Sequence, residues 1–294
     1  MAQPVTRLAD IGGMYDAIFV DLWGCLHNGV EPFPEAIEAL RAFKAAGGMV
    51  LLLTNSPRPQ TSVRRQLARI GVPEDIWHGI ASSGDAAQEA LMAGMVGRKV
   101  YHLGPERDLS FFNDLPEHLR DKPAIERVPM SEAEGIVCTG LFDDLVETPD
   151  DYRLTILDGV NRGLKMLCTN PDISVDLGDK RIFCAGAIAK AYEEAGGESL
   201  YFGKPYSPVY ELARRRLAAH TGFDIAEDRI LCIGDGINTD IRGAMAQGMD
   251  SLFLTGGLAA DEIPSRNGVP DATKLEAFAK EHRLDPTYVM EKLR

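Results

Sequence analysis

AIFVDLWGCLHNG, residues 17–29, opens with four apolar residues in unbroken succession and places an acid, Asp21, directly behind them. A strand exposed on one face alternates apolar with polar residues, whereas a strand covered on both faces does not. Residues 17–20 therefore predict a strand inside a covered, parallel sheet. MVLLLTN, from Met49, repeats the pattern. Between the two runs, PEAIEALRAFKAAG opens on Pro34 and closes on Gly47, the residues suited to a helix start and stop. Strand, helix and strand in succession predict a crossover unit of an α/β fold.

The alternation continues through KVYHLG (from Lys99), GIVCTG (from Gly135), LKMLCTN (from Leu164), SLYFGK (from Ser199), RILCIGDG (from Arg229) and SLFLTGG (from Ser251). Eight candidate strands are too many for two crossover units. No low-complexity linker or internal repeat marks a border. Ser82-Ser83-Gly84 and Gly196-Gly197 are the expected crossing points between two units.

Composition narrows the function. The 294 residues are 45% hydrophobic and 26% charged, as in an ordinary globular protein. Lys plus Arg number 31 against 44 Asp plus Glu, a net charge of −13 that offers no basic footprint, so nucleic acid is not expected as a partner. An anionic substrate then needs a local positive device such as a metal or a lysine. Cys25, Cys138, Cys168, Cys184 and Cys232 are odd in number, without zinc or redox spacing, and read as buried thiols of a reducing compartment. MAQPVTRLADIGGMYD has no apolar stretch behind a basic one, and no run reaches the roughly 18 apolar residues of a membrane span. A cytoplasmic protein without a membrane partner is expected.

Ligands gather at the carboxyl ends of strands in open α/β sheets, and four ends here carry chemistry. They hold Asp21; Thr54-Asn55-Ser56; Gly203-Lys204-Pro205; and Gly234-Asp235-Gly236 with Asp240 following. Singly, each is an ordinary turn or helix approach. Together they supply a nucleophile, hydroxyl and amide donors, a cation and two further acids.

In that order and placement the chain resembles the haloacid dehalogenase superfamily of aspartate-nucleophile phosphotransferases, most closely its NagD-type, 4-nitrophenyl phosphatase-like subfamily. LCTNPD (from Leu167) and CAGAIAKAYEEAGG (from Cys184) resemble that subfamily's cap. The resemblance implies a doubly wound, Rossmann-like parallel-sheet core, residues 1–82 and 200–294, with an inserted α/β cap of type C2, residues 83–199. It implies that Asp21 is the nucleophile and that Thr54 and the Asn55 amide bind phosphate. Lys204 would neutralise both Asp21 and the transferring group. Mg²⁺ would be held by Asp21, the Trp23 carbonyl and Asp235, with Asp240 in or near the outer shell. The expected substrate is a small phosphorylated metabolite. Oligomeric state does not follow from spacing, and a homo-oligomer stays open.

One position departs from the pattern. The family's second acid, which protonates the leaving group, is replaced by Trp23. Positioned acid catalysis contributes about 10²- to 10⁴-fold, so good leaving groups such as acyl phosphates are expected to be favoured. His27 and Cys25 are candidate substitutes, each more simply read as a loop or packing residue. Arg58 reads as a solvated helix-start residue. The alternative function is a catalytically weak phosphate- or metabolite-binding or sensing protein on the same fold. A carbon-halogen hydrolase ranks third because the acidic pair Asp235 and Asp240 suggests a metal. A dinucleotide enzyme ranks lower, since no G-x-G-x-x-G follows the first strand.

Overall fold

The computed structural model describes residues 2–178 and 180–294. All eight apolar runs form strands, sorted into two sheets. The larger has seven strands in the order Gln3–Pro4, Tyr288–Met290, Asp250–Leu254, Ile230–Gly234, Ala17–Val20, Met49–Thr54, Gly79–Ser82. Every neighbouring pair is parallel. Ala17–Val20 lies in the interior, between Ile230–Gly234 and Met49–Thr54. The chain winds both ways from it, so a crevice opens at the carboxyl ends of these three strands.

Continuous hydrophobicity follows from cover on both faces. Ile18, Val20, Val50, Leu52, Leu231 and Ile233 pack with Ile37, Leu40 and Phe43 of the helix Pro34–Ala45. Ala17, Phe19, Leu51, Leu53, Ile230 and Cys232 point the other way, toward Val209, Leu212 and Ala213 of the helix Ser207–Thr221. Successive side chains alternate faces, and both faces are dry.

The smaller sheet has five strands, in the order Glu198–Tyr201, Lys165–Cys168, Gly135–Cys138, Lys99–Leu103, Glu126–Arg127, again all parallel. One face packs Ile136 and Met166 against Ile188 and Tyr192 of the helix Ala185–Glu194. On the other, Val100, Val137 and Leu167 join the apolar cluster that also contains Phe19 and Leu51 of the larger sheet. The antiparallel hairpin Ser174–Leu177 and Lys180–Phe183 projects from this unit, and Gly178 N–H donates to the Asn28 carbonyl at 3.1 Å.

The chain leaves the larger sheet at Ser82 and stays in the smaller one through Tyr201. Ser82 ends a strand and caps the helix Ser83–Met92, its side chain accepting from Asp85 N–H at 3.0 Å while the Asp85 carboxylate accepts from Ser82 N–H. That reciprocal cap is a helix start, not a linker. Downstream, Glu198–Tyr201 pairs with Lys165–Cys168, so the return to the larger sheet falls at Phe202–Gly203 rather than at Gly196-Gly197. All five cysteines are buried and free. Among the described residues no helix is long and apolar enough to cross a membrane.

Candidate active site

Asp21 leaves its strand with its own N–H bonded to the Ile233 carbonyl at 2.9 Å, which fixes it against the neighbouring strand. Lys204 reaches it from the segment following Glu198–Tyr201, behind a cis Lys204–Pro205 bond. The Lys204 ammonium is 2% exposed and donates to Asp21 Oδ1 at 2.6 Å and to Asp240 Oδ1 at 2.7 Å. Burial alone would lower its pKa; the charges of Asp21, Asp240 and Asp172 override that and raise it well above the ordinary value. Asp21 is pushed up to about 7 by burial, against the pull of Lys204 and with the help of Asp240.

Asp235 stands beside this pair. Its Oδ2 accepts from Leu258 N–H at 3.0 Å. Gly24 adopts φ +72, and a Cβ there would collide with the Asp235 carboxylate, so only glycine fits both the conformation and the space. Ligand atoms of Asp21, Cys25 and Asp235 lie within 4.8 Å of one another. Burial, then the nearby Asp235 and Asp21 carboxylates, push the Cys25 thiol well up, so it stays protonated. The same crowding raises Asp235 well above the carboxylate range: burial first, then the Asp21 and Asp240 charges. Fully ionised, the three carboxylates would exceed the one ammonium by two negative charges in a buried place, which is why Asp21 and Asp235 hold protons so strongly. Paired oxygen donors with that deficit fit a hard divalent cation. Asp240 is arranged differently: Oδ1 is on Lys204, and Oδ2 accepts from Gly236 N–H at 3.1 Å.

Thr54 and Asn55 follow their strand into the same cavity, of about 280 Å³. The Asn55 side chain is a brace: Oδ1 accepts from Lys204 N–H at 2.7 Å, and Nδ2 donates to the Lys204 carbonyl at 3.1 Å and to Asp172 Oδ1 at 2.8 Å. Thr139, Asn170 and Asp172, beyond the carboxyl ends of the smaller sheet, line the same cavity. Strand ends of both sheets thus converge on one cavity. Asp172 received no role from the sequence, although it lies in the turn after a strand, where Asn170 Oδ1 accepts its N–H at 3.0 Å. The strand-end rule that found Asp21 points to it equally.

Trp23 lines the cavity and packs edge-on to His27, ring centroids 5.2 Å apart. His27 itself is fully buried; Nδ1 accepts from Gly29 N–H at 3.0 Å and Nε2 has no partner. Burial lowers its pKa to about 4, so the ring is neutral near pH 7. Arg58 is not a solvated helix-start residue. It is 22% exposed and bonds Asp108 at 2.6 Å, tying the loop after Thr54 to the smaller unit. The sequence could not show that partner, 50 residues away.

A family model described as haloacid dehalogenase-like hydrolase matches residues 18–115, and a second, HAD-hydrolase-like model matches residues 201–294. A crystal structure of a hydrolase of the haloacid dehalogenase-like family from Brucella suis is 40% identical, covers 99% of this chain and 100% of its own, and superposes with a TM-score of 0.86. A 5'-nucleotidase of Bacillus subtilis is 26% identical over 84% of this chain and 90% of its own length. An acid sugar phosphatase of Staphylococcus aureus is 25% identical over 87% and 92%. With 40% identity sustained over essentially both full lengths, the chain belongs to the haloacid dehalogenase-like hydrolase family.

Proposed function

We propose that the protein is an Mg²⁺-dependent phosphohydrolase of a small phosphorylated metabolite, with Asp21 as the group that accepts the phosphoryl. The observation that carries this reading is the Asp21 carboxylate held 2.6 Å from the Lys204 ammonium, beside Asp235, where strand ends of both sheets meet. The 5'-nucleotidase and the acid sugar phosphatase named above act, by their names, on phosphate esters, which agrees with it.

Asp21 Oδ forms a bond to phosphorus as the bond to the leaving oxygen breaks, and water later releases phosphate, so one difficult displacement becomes two easier ones. Thr54 Oγ1 and the Asn55 amide bind phosphoryl oxygens. Lys204 offsets the repulsion between carboxylate and phosphate, and Asp240 and Asn55 hold it in position. Mg²⁺ would be held by Asp21, Asp235 and the Trp23 carbonyl, and supplies the two positive charges the cluster lacks. Asp240 acts outside that set, through Lys204. The unit built on the smaller sheet, roughly residues 83–201, serves as the cap that selects the leaving group.

The competing reading is a binding or sensing protein, favoured by Trp23, whose indole carries only an N–H donor. Turnover separates the two. A screen of phosphorylated metabolites, acetyl phosphate included, is expected to show hydrolysis that needs Mg²⁺ and is lost with EDTA. Asp21→Asn is expected to remove both turnover and acid-stable phosphoenzyme while the fold persists. Unchanged turnover in that variant would exclude aspartyl-phosphate chemistry.

A further inference from the structure

An in-line displacement puts the leaving oxygen opposite the attacking one. If Asp21 attacks from the larger sheet, the leaving group points toward the smaller unit, and an alkoxide leaving there needs a proton. Trp23 cannot deliver it. His27 is neutral, and among the described residues it does not line the cavity. Cys25 is a buried thiol between carboxylates.

Among the described residues, the carboxyl groups contributed to the cavity by the smaller unit are Asp108, Asp144, Asp172 and Asp176. Asp108 is held by Arg58, Asp144 by Arg107 and Asp176 by Arg181. A guanidinium favours the charged carboxylate and occupies its oxygen; burial still raises Asp108 above its ordinary value, but its Oδ1 is committed to Arg58. Asp172 differs: its side-chain contact is the neutral Asn55 amide on Oδ1. The same amide braces the backbone of Lys204, whose ammonium bonds Asp21. Asp172 therefore lines the same cavity as the nucleophile and is joined through Asn55 to the backbone of the lysine that holds it.

We propose that Asp172 is the acid that protonates the departing oxygen, in place of the group that Trp23 cannot supply. This rests on the phosphohydrolase reading above. As the Asp21–phosphorus bond forms and the phosphorus–leaving-oxygen bond breaks, the Asp172 O–H proton passes to that oxygen and releases an alcohol. The Asp172 carboxylate then takes a proton from the water that attacks the aspartyl phosphate. Phosphate leaves, and both carboxyl groups return to their starting states. The surroundings suit the role: burial raises the Asp172 pKa to about 6, against the pull of Lys204 and the Asn55 hydrogen bond and with the help of Asp240. A bound phosphate dianion would raise it further.

The test is single-turnover hydrolysis, with Mg²⁺, of 4-nitrophenyl, phenyl and benzyl phosphate, which share a shape and differ in leaving group. Asp172→Asn keeps an oxygen for the Asn55 amide and removes the acid. Its rate on benzyl phosphate is expected to fall by about 10²- to 10⁴-fold and on 4-nitrophenyl phosphate by less than about 10-fold. The wild-type loss of benzyl phosphate hydrolysis at higher pH should vanish with it, and Asp172→Glu should restore part of the benzyl rate. An equal loss on all three esters, or an unchanged benzyl rate, overturns the assignment. Asp21→Asn, run alongside, separates the failures. If it still turns over, the aspartyl-phosphate reading falls; if it is inactive while Asp172→Asn loses all three rates equally, only the role of Asp172 falls.

Discussion

Lys204 is the residue on which the cluster depends most. A buried ammonium between two carboxylates is stable only while both partners are present, and removing one member of a buried pair typically costs about 3–5 kcal/mol. Lys204→Met keeps the length and leaves the Asp21 and Asp240 oxygens without their donor. We expect a loss of about 3 kcal/mol at pH 7.5 in urea unfolding, and weaker binding of inorganic phosphate by calorimetry. The sign with pH is fixed by Asp21. Burial already raises it to about 7, and without the ammonium it rises further, so the variant holds this proton at a pH where wild type does not; by pH 5 both carry it, and the variant's deficit should shrink. A deficit that grows on acidification would contradict the arrangement. Trp23 teaches the converse: its identity in the sequence showed that an acid was absent, but not that Asp172 faces the same cavity.

One helix packs between the two sheets. The helix Ser83–Met92 starts against the loop after Thr54; Gly84 N–H donates to the Ser56 carbonyl at 3.0 Å, and a Cβ at Gly84 would lie 2.6 Å from the Arg58 carbonyl carbon. Backbone cannot swing aside as a side chain can. Gly84→Ala is therefore expected to cost roughly 1–3 kcal/mol and to lower turnover by shifting Ser56 and Arg58; an unchanged urea midpoint would show that the helix is not packed there. In the smaller sheet, His102 on Lys99–Leu103 bonds Thr139 Oγ1 at 2.9 Å and meets the Phe112 ring edge-on at 5.1 Å. Burial, then Arg127, lowers its pKa to about 4. Between there and the ordinary histidine value near 6.5 the unfolded chain binds more protons, so stability falls as pH drops through that window. Partial exposure reduces the effect to roughly 1–2 kcal/mol. His102→Gln should flatten that part of the pH–stability curve, and a curve identical to wild type would refute the assignment.

For the molecule as a whole, the consequence lies in charge. A chain of net charge −13 concentrates three carboxylates around one buried lysine. Asp235, with its pKa raised by burial and by Asp21 and Asp240, is costly to ionise in the metal-free protein. Asp235→Asn should therefore stabilise the metal-free form near pH 7.5, by roughly 1–3 kcal/mol, while abolishing stabilisation by Mg²⁺. Wild type should gain about 2.7 kcal/mol at Mg²⁺ a hundredfold above its dissociation constant. Thermal unfolding with EDTA and with Mg²⁺ reads both. Destabilisation of the metal-free variant would mean that Asp235 serves packing rather than charge.

Apolar runs such as residues 17–20 and 49–53, and the acids and donors behind them, were legible from sequence because both belong to local chain: a doubly covered strand must be apolar throughout, and its end must turn. The strands Gly79–Ser82 and Tyr288–Met290 escaped that reading, being four and three residues long with little local signal. The assignment of Glu198–Tyr201 to the smaller sheet, the Arg58–Asp108 bond and the placing of Asp172 on Asn55 in the cavity of Asp21 came only from tertiary structure. Each depends on partners from 33 to more than a hundred residues apart. Sequence by itself determined the α/β class and the order of Asp21, Thr54, Lys204 and Asp235. Which carboxylates are gripped by guanidinium and which one is left with a neutral amide was decided by packing, because a side chain's protonation answers to its neighbours in space and not to its neighbours in the chain.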